Sequence, residues 1–367
     1  MKSALVFLLI AAAPLRAAEE PAAQAQAFLQ QLARTTPAVS GAVARGGAIV
    51  FSGGAGKIDL ENDVPAAGNS VYNIGSVSKA ITAIAVMQLV EQKKIALDDD
   101  VRAYVPELPD KGAKITIWNI LTHTSGIRHY RRNDFPNTAD NENMLPIGGW
   151  RDALHIWAND PLLFPPGKYF SYSSYAVNLL QGVVEKAAGQ PFEAYLAGHV
   201  WTPAGAASRS VDIPNRIVAH RARSYVKASG RWNNYSYADV RYKFAGGGMI
   251  ASAEDLVKVA AALNRDRLLR RETRAQMLAP QINGLQHFNE NGAPNAMDFQ
   301  QALIWRVNKD AEGRTFVYHC GTVKGFNVCL IDYVDDDLTA ALMTNSDECC
   351  GWKNTLALAN VFRDQPR

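Results

Sequence analysis

Gly75-Ser76-Val77-Ser78-Lys79 precedes an apolar run, Ala80–Val90, that has the composition of a buried helix. Gly75 allows the chain to turn sharply into that helix. Ser76 then lies at the helix N-terminus, where free N–H groups favour developing negative charge. A serine and a lysine three positions apart share one face of a helix, so Lys79 is placed to take the serine proton. The stretch therefore predicts a nucleophilic serine activated by a lysine.

The Ser-x-x-Lys spacing on its own leaves two interpretations open. A serine at the start of a helix also serves as a cap. The chain contains a second copy of the spacing, Ser224-Tyr225-Val226-Lys227, in a segment with a strand pattern. In a strand the serine and lysine side chains point to opposite faces. The spacing thus arises by chance elsewhere, and the role of Ser76 depends on the rest of the chain.

The first 18 residues predict a secretory signal. Lys2 is followed by a short apolar core, Ala4–Ala13, and then by small residues suited to cleavage. The core is too short to span a membrane, and an anchoring helix is the alternative interpretation. We therefore expect an exported chain, periplasmic or secreted, that begins at residue 19.

Charge and composition exclude a nucleic-acid partner. Loss of Lys2 and Arg16 with the signal lowers the formal net charge from +3 to +1, and no stripe of lysine and arginine is present. Apolar residues make up 48% of the chain, which is ample for a large core in one domain or in two lobes that share a cleft.

The four cysteines lie in the last fifth of the chain and contain no Cys-x-x-Cys pair, so a zinc ribbon is excluded. Export makes disulfides feasible. A buried free thiol is the simplest expectation for Cys329. Cys320 is expected to be a small residue of the site wall or a disulfide partner for Cys349. The adjacent Cys349 and Cys350 are not expected to bridge each other, and whether any of the four cysteines form disulfides stays open.

The distribution of strands and helices predicts an α+β fold. Two strands, Ser40–Arg45 and Ala48–Ser52, form a hairpin, and most of the middle of the chain is helical. We expect an antiparallel sheet flanked by helices, with an inserted all-helical lobe, in one domain over residues 19–367. The α/β lobe is expected over roughly 19–95 and 217–367, the helical lobe over roughly 96–216, and the closing strands at Thr315–Gly321, Phe326–Tyr333 and Leu338–Asn345.

Further groups complete a candidate catalytic site. The phenol of Tyr172 can act as a general base if nearby cations stabilise its phenolate. His319 is expected to support the site by hydrogen bonding and charge, and the alternative is a satisfied core histidine. Gly321 allows close approach to the strand edge, which can hold an extended substrate. The main-chain N–H groups of Ser76 and Thr322 are candidates for an oxyanion hole.

Five short motifs occur in one order along the chain: Ser76-x-x-Lys79, Leu121-Thr122-His123-Thr124-Ser125-Gly126, Pro166-Gly167 with Phe170-x-Tyr172-Ser173, Ala245-Gly246-Gly247-Gly248 and His319-x-Gly321. Together they resemble the serine β-lactamase-related family, which includes class C β-lactamases, DD-peptidases and esterases. The resemblance runs from about Ala38 to Asn345. Segments 125–130, 221–226 and 242–248 resemble the branch of mitochondrial serine β-lactamase-like proteins.

This resemblance implies acyl transfer through a covalent ester on Ser76. Lys79 and Tyr172 would move protons, and water would release the acyl group. The substrate would be a small molecule or peptide, and neither a metal nor an organic cofactor is implied. His123 is expected to shape the cleft wall. A zinc site on His123 and His129 is not favoured, because neither a His-Glu-x-x-His pattern nor a carboxylate partner accompanies them.

Two positions depart from the class C pattern. Ser174 stands in the place of an asparagine and is a candidate substrate-binding residue that offers no amide. His319-Cys320-Gly321 stands in the place of Lys-Thr-Gly, as in the peptidase and esterase branches, which weakens the case for binding the carboxylate of a β-lactam. Lys324 lies close by and is expected to be a solvated loop lysine.

The sequence therefore predicts an exported serine hydrolase that acts on peptide or amide bonds. A carboxylesterase on the same scaffold is the first alternative, favoured by His319-x-Gly321 and Ser174. A non-catalytic or filament-forming scaffold is the second, because the mitochondrial branch that the chain resembles includes filament-forming members. Assembly of the chain into a homo-oligomer is also left open.

Overall fold

The computed structural model describes residues 12–131, 134–135, 147–207, 210–290, 293–348 and 351–363, with side chains from residue 20 onward. Its α-helices are α1 Ala12–Leu32, α2 Val77–Glu91, α3 Ile117–Leu121, α4 Ser174–Ala188, α5 Phe192–Leu196, α6 Thr202–Ala204, α7 Phe244–Gly247, α8 Ala253–Asn264, α9 Arg271–Leu278 and α10 Trp352–Arg363. Its strands are β1 Ala38–Arg45, β2 Ala48–Asp59, β3 Val64–Pro65, β4 Val71–Asn73, β5 Ser210–Val211, β6 Tyr225–Ala228, β7 Arg231–Asn234, β8 Met249–Ser252, β9 Gln300–Gln301, β10 Arg306–Lys309, β11 Thr315–Val323, β12 Phe326–Tyr333 and β13 Leu338–Thr344.

The main sheet has eight antiparallel strands in the order β3-β2-β1-β13-β12-β11-β10-β9. Successive residues of a strand face opposite sides, so Ala42 joins one apolar cluster and Val43 the other. The cluster that contains Val43 also includes Leu29 of α1 and Leu358 of α10. The other cluster includes Leu256 of α8 together with the apolar residues of α2. Helices therefore cover both faces, as the predicted α+β architecture requires.

Helix α2 is buried almost all round, because its residues from Val77 to Leu89 are all buried. It packs against α4 and α7 on the helical side and against β11 of the main sheet. Thr82 in its second turn donates a hydrogen bond to the carbonyl of Ala245. The helix that begins after Ser76 is thus held by both halves of the fold.

The hairpin β1–β2 and the three closing strands all form, and their ends agree with the prediction within about two residues, except that β2 continues from the predicted Ser52 to Asp59. The lobe boundary near residue 216 is less sharp than predicted. β5 precedes that boundary, yet it pairs with β8 in a small sheet β4-β8-β5. A short strand of the helical segment therefore joins the α/β part.

The predicted secretory signal falls partly on residues 1–11, which lie outside the described residues, and α1 begins at Ala12. Within the described chain, no helix combines the length and apolarity needed to cross a membrane. Export remains a prediction.

A disulfide joins Cys320 of β11 to Cys329 of β12. The two residues are directly opposite each other in the register of these strands. The expectation of a free Cys329 thiol is therefore wrong, and Cys320 pairs within its own hairpin rather than with Cys349. Cys349 and Cys350 lie outside the described residues.

Asp332 is a fully buried carboxyl on β12. Asn264, at the end of α8, donates to its Oδ1 at 2.7 Å. Within the part of the chain that the structure describes, neither Oδ2 of Asp332 nor Oγ1 of Thr339, its cross-strand neighbour, has a hydrogen-bond partner. Burial raises the pKa of Asp332 to about 7, against the lesser effect of the Asn264 hydrogen bond.

We expect Asp332→Asn to stabilise the protein at alkaline pH. An acid whose folded-state pKa lies above its unfolded value destabilises the fold as pH rises between the two. A pKa of about 7 in place of 3.8 corresponds to about 4 kcal/mol lost between pH 4 and pH 8. Urea unfolding at both pH values should show this loss in the wild type and a much smaller one in Asp332→Asn. Asp335→Asn, at an exposed carboxylate of the next turn, should behave as the wild type, and a wild-type slope in Asp332→Asn would contradict the prediction.

Candidate active site

Ser76 and Lys79 meet at the start of α2. The Nζ of Lys79 lies 2.9 Å from the Oγ of Ser76 and also donates to the carbonyl of Gly246. Ser76 occupies the N-cap position, yet its side chain makes no capping hydrogen bond. The capping interpretation of this serine is therefore wrong. Its hydroxyl is half-buried and faces the fully buried lysine, which is the arrangement that proton transfer between them requires.

Two glycines bring the start of α2 against β11. Gly75 has a φ of +48°, and the side chain of Asn73 accepts its N–H at 2.9 Å. A Cβ on Gly321 would lie 2.3 Å from the carbonyl oxygen of Ile74 and 2.4 Å from the nitrogen of Ser76. Only glycine fits at position 321. Its lack of a side chain allows β11 to pack directly against the main chain of Ser76.

The register of β11 orients the main chain of Thr322. The Cα atoms of Cys320 and Cys329 are 4.0 Å apart, which marks the narrow, non-hydrogen-bonded type of antiparallel pair. Because the two types of pair alternate, Thr322 opposite Asn327 is also of that type. Its N–H therefore points away from β12 and toward the open edge beside Ser76. This orientation agrees with the predicted pair of oxyanion donors.

Tyr172 lies between these groups, just before α4. Its phenol is hydrogen-bonded to the hydroxyls of Ser76 and Ser174. The ring centre is 4.8 Å from the Nζ of Lys79 and 5.9 Å from the guanidinium carbon of Arg306. Burial nevertheless raises the pKa of Tyr172, outweighing its hydrogen bond to Ser76 and the charge of Arg306. The expectation of a phenolate base is therefore wrong for neutral pH, where the group is a phenol.

His319 is buried, with 1% of its surface exposed, and its ring centre lies 6.4 Å from that of Tyr172. Its Nδ1 is 2.8 Å from the carbonyl oxygen of Cys320 and so donates to it. Burial, with the charges of Arg306 and Lys79, holds the pKa of His319 well below its usual value. The ring is neutral, so the expectation that His319 supplies charge is wrong.

Two more histidines pack on Tyr172. His123, in a left-handed conformation with φ +56°, lies 4.4 Å from the tyrosine ring, centre to centre, and forms the expected wall. His129 lies 5.3 Å from it, edge to face. The N–H groups of Ser173 and Ser174 donate to the Nδ1 atoms of His123 and His129 respectively, so both rings position the tyrosine segment. This role of His129 is not expected from the sequence, although segment 125–130 is one of those that resemble the mitochondrial branch.

Burial lowers the pKa of both wall histidines, that of His129 to about 3. Both rings are therefore neutral at physiological pH. No group of three or more histidine, cysteine or acidic side chains converges as a metal site among the residues described.

The structure revises two further sequence predictions at the cleft. Ser174 is buried, and its hydroxyl bonds to Tyr172, so it supports the tyrosine rather than lining open space. Lys324 is only 8% exposed and lies over the ring of Tyr235, with its Nζ 5.2 Å from the ring centre. The expectation of a solvated lysine is therefore wrong.

Arg306 is a site residue that the sequence analysis missed. It begins β10, and its register partner is Tyr318, the residue before His319. Its guanidinium carbon lies 4.6 Å from the ring centre of Phe299, and the Tyr318 phenol hydrogen-bonds to it. Arg306 belongs to none of the sequence motifs named above. It reaches the cleft through the pairing of β10 with β11, which the sequence alone does not reveal.

With this geometry in view, comparison with known proteins identifies the family. The profile of the Beta-lactamase family matches residues 22–349, so the chain belongs to that family of serine hydrolases. The bovine mitochondrial protein LACTB, a serine beta-lactamase-like protein of Bos taurus, is 29% identical over 76% of this chain and 61% of its own length. A penicillin-binding protein of Bacillus subtilis is 25% identical over 88% of this chain and 72% of its own. Esterase EstB of Burkholderia gladioli is 34% identical over 44% of each chain.

Solved structures show the same fold. The octameric penicillin-binding protein homologue from Pyrococcus abyssi superposes with a TM-score of 0.78 at 22% identity, covering 92% of this chain and 77% of that one. A D-stereospecific amidohydrolase from Streptomyces sp. gives 0.74 at 20% identity, covering 92% and 98%. The chain spans only about half to three fifths of the length of the mitochondrial relatives, with 61%, 53% and 54% of the bovine, human and mouse proteins covered.

Proposed function

We propose that this chain is an exported serine hydrolase that forms an acyl-enzyme on Ser76 and cleaves peptide or amide bonds. One observation carries the proposal: the hydroxyl of Ser76 contacts both the amine of Lys79 and the phenol of Tyr172, beneath the edge of β11. Relatives named as penicillin-binding proteins, and a fold neighbour named as an amidohydrolase, support the choice of amide bonds.

In the proposed reaction, Ser76 Oγ attacks the substrate carbonyl carbon while its proton passes to the unprotonated amine of Lys79. The N–H groups of Ser76 and Thr322 stabilise the oxyanion. Tyr172, a phenol at neutral pH, gives its proton to the leaving nitrogen as the C–N bond breaks, and the lysine ammonium then reprotonates the tyrosine. Water, deprotonated at the same centre, attacks the ester and releases the acid.

A substrate panel tests the proposal. An active-site serine probe should label the protein, and peptide mapping should place the label on Ser76. The labelled enzyme should be inactive on a D-Ala-D-Ala peptide, a short-chain nitrophenyl ester and a chromogenic cephalosporin, while the free enzyme should cleave the peptide. Labelling at another residue, or no labelling, would overturn the proposal.

A carboxylesterase is the second candidate. The neutral His319 stands where a lysine of class C enzymes would present a charge, and a stretch of the chain is 34% identical to an esterase. Turnover of the nitrophenyl ester without cleavage of the peptide would favour this candidate. The acyl-enzyme on Ser76 is common to both, so labelling does not distinguish them.

Export and self-association are separate parts of the proposal. N-terminal sequencing of protein recovered from the host periplasm or medium should give a chain that starts near residue 19, and an uncleaved Met1 would contradict export. An octameric penicillin-binding protein homologue is among the fold neighbours. Light scattering will show whether this chain forms a homo-oligomer, and a large polymer whose function survives Ser76→Ala would favour the scaffold alternative.

We expect hydrolysis to rise from acid to neutral pH and then to stay high to about pH 10. In acid the Lys79 amine gains a proton and can no longer accept that of Ser76, while Tyr172 is already a phenol. Tyr172 stays a phenol through the alkaline range, because its pKa is raised above 10. Rates measured from pH 5 to 10 should show the rise, and His319→Gln should lower them without moving its midpoint, since that ring is already neutral. A flat profile, or a midpoint that moves with His319→Gln, would contradict the scheme.

A further inference from the structure

Asn73 holds the turn that leads into Ser76. It is the last residue of β4, is buried, and accepts the N–H of Gly75 with its Oδ1 at 2.9 Å. Gly75 has a left-handed conformation, and a Cβ added to it would lie 2.7 Å from the nitrogen of Thr322. Gly75 is therefore confined between the two residues that carry the candidate oxyanion donors. Its position sets the distance between those donors.

The amide of Asn73 is oriented by a buried carboxylate. Its Nδ2 donates to the Oδ2 of Asp212 at 3.0 Å, and Asp212 is only 5% exposed. A side-chain amide has one end that donates and one that accepts, whereas a carboxylate only accepts hydrogen bonds. Because the NH₂ end is held by Asp212, the oxygen of the amide must face Gly75. Asp212 thus determines which end of Asn73 faces the start of α2.

Asp212 is held by both its main chain and its side chain. Its N–H donates to the carbonyl of Gly248 at 2.8 Å, and its Oδ1 forms an ion pair with Arg221. The phenol of Tyr237 also hydrogen-bonds to the carboxylate. Strand β5 ends immediately before Asp212 and pairs with β8. The short strand of the helical segment therefore brings an acid to the turn that precedes the nucleophile.

Arg221 opens segment 221–226, which resembles the mitochondrial branch and has no part in the proposed reaction. Its main chain forms a parallel bridge with Val71, two residues before Asn73 on β4. Main-chain hydrogen bonds on both sides of Val71 hold this bridge in place. The segment is thereby fixed against the strand that carries Asn73, and the guanidinium is placed to reach Asp212.

We propose that Arg221, Asp212 and Asn73 form a relay of positioning residues for the nucleophile. The inference rests on the proposed function. Charge or hydrogen-bond polarity fixes the partner of each member, and the last bond ends on the main chain one residue before Ser76. The relay acts through the main chain rather than on the substrate, because it holds the N–H of Ser76 at the correct distance from that of Thr322. Loss of a member therefore lowers the rate of acylation more than the affinity for substrate.

An exchange of the amide and the acid tests the relay. Asn73→Asp brings a second carboxylate against the first, and Asp212→Asn removes the acid that pairs with Arg221. The double variant Asn73→Asp/Asp212→Asn keeps one amide, one acid and the net charge, with donor and acceptor exchanged. We expect each single variant to lower the rate of labelling by a fluorophosphonate probe by about 10- to 100-fold, the range of a small misplacement of reacting groups. The double variant should recover to within about fivefold of the wild type, because the two residues are coupled.

Asn264→Ala is the matched control. Asn264 also donates to a buried carboxyl, that of Asp332 at 2.7 Å, but it lies at the end of α8 outside the site. This variant should lower the melting temperature, while its labelling rate stays within about twofold of the wild type. With p-nitrophenyl acetate, Asn73→Ala should lower kcat and keep KM within about threefold, a split that a general loss of stability would not produce.

Hydrogen exchange separates this inference from the proposed function. The amide of Gly75 should lose protection in Asn73→Ala and regain it in the double variant, as measured by mass spectrometry of the peptide that contains it. A wild type that neither labels nor hydrolyses any substrate would overturn the proposed function, and the exchange measurement would still decide whether the relay holds the turn.

Three results would overturn the inference: a wild-type labelling rate in Asn73→Ala, an equal loss in Asn264→Ala, or a folded double variant that does not recover. If Asn73→Ala does not fold, Arg221→Gln decides from the more exposed end of the relay. Slower labelling and lost protection of Gly75 in that variant would support the inference, and unchanged values of both would overturn it.

Discussion

Ser76→Ala and Lys79→Ala are each expected to lower kcat/KM by about 10⁴-fold or more, the range seen when a nucleophile or its base is removed from a serine hydrolase. The two side chains form one unit through their 2.9 Å contact. The double variant should therefore be no worse than the worse single variant. Rates on the best substrate of the panel, with probe labelling in parallel, measure this.

The chain carries its own control for that experiment. Ser224 and Lys227 repeat the spacing, but Ser224 directly precedes the strand Tyr225–Ala228, and in an extended chain side chains three residues apart point to opposite faces. Ser224→Ala and Lys227→Ala should stay within about twofold of the wild type, as surface changes away from a site usually do. Labelling of Ser76→Ala at the wild-type rate would contradict the assignment, as would equal losses in both pairs of variants.

Gly321→Ala should lower kcat/KM by about 10²- to 10³-fold, the loss that follows removal of one oxyanion donor. The added Cβ would lie 2.3 Å from the oxygen of Ile74 and 2.4 Å from the nitrogen of Ser76. Both are main-chain atoms, so either β11 or the start of α2 must shift, and the donors on Ser76 and Thr322 separate. The loss should appear in the rate of probe labelling as well as in turnover.

Gly198→Ala is the matched control, since a Cβ there meets no atom within 4 Å and its backbone is not left-handed. Melting temperatures of both variants separate a displaced site from a damaged fold. A Gly321→Ala protein that melts normally and labels at the wild-type rate would show that the close approach of β11 is not needed.

Local signals explain why much of this site is predictable from the sequence. A turn at Gly75, an apolar helix and the spacing of Ser76 and Lys79 are all encoded within a few residues. Helix α4 begins at Ser174, because the preceding Ser173 caps it by accepting the N–H of Ala176. Such features depend on neighbours in sequence and so need no knowledge of the tertiary fold.

The state of charge of the site is not predictable in that way. His319 and Tyr172 have the expected positions, but their protonation depends on burial, which many distant residues determine together. Arg306 enters the site only through the register of β10 on β11. The residues next to Arg306 in sequence form no pattern that predicts a cleft.

The disulfide between Cys320 and Cys329 has a signal in the sequence, at the turn between the two strands. β11 ends at Val323 and β12 begins at Phe326, so Lys324 and Gly325 form a two-residue turn. Residues equally far from such a turn oppose each other, which pairs Cys320 with Cys329. Counting outward from the turn would therefore have found the bond.

The order of strands in the main sheet has a consequence for synthesis of the protein. β1, made first, pairs with β13, made last of the strands, and the strand that carries Thr322 reaches the sheet only through β12 and β13. Ser76 and Lys79 are therefore synthesised long before β11, the strand whose edge lies beside them in the folded protein. An unfinished chain therefore lacks the Thr322 donor beside its serine, and we expect hydrolytic activity only after β11, β12 and β13 have joined the sheet.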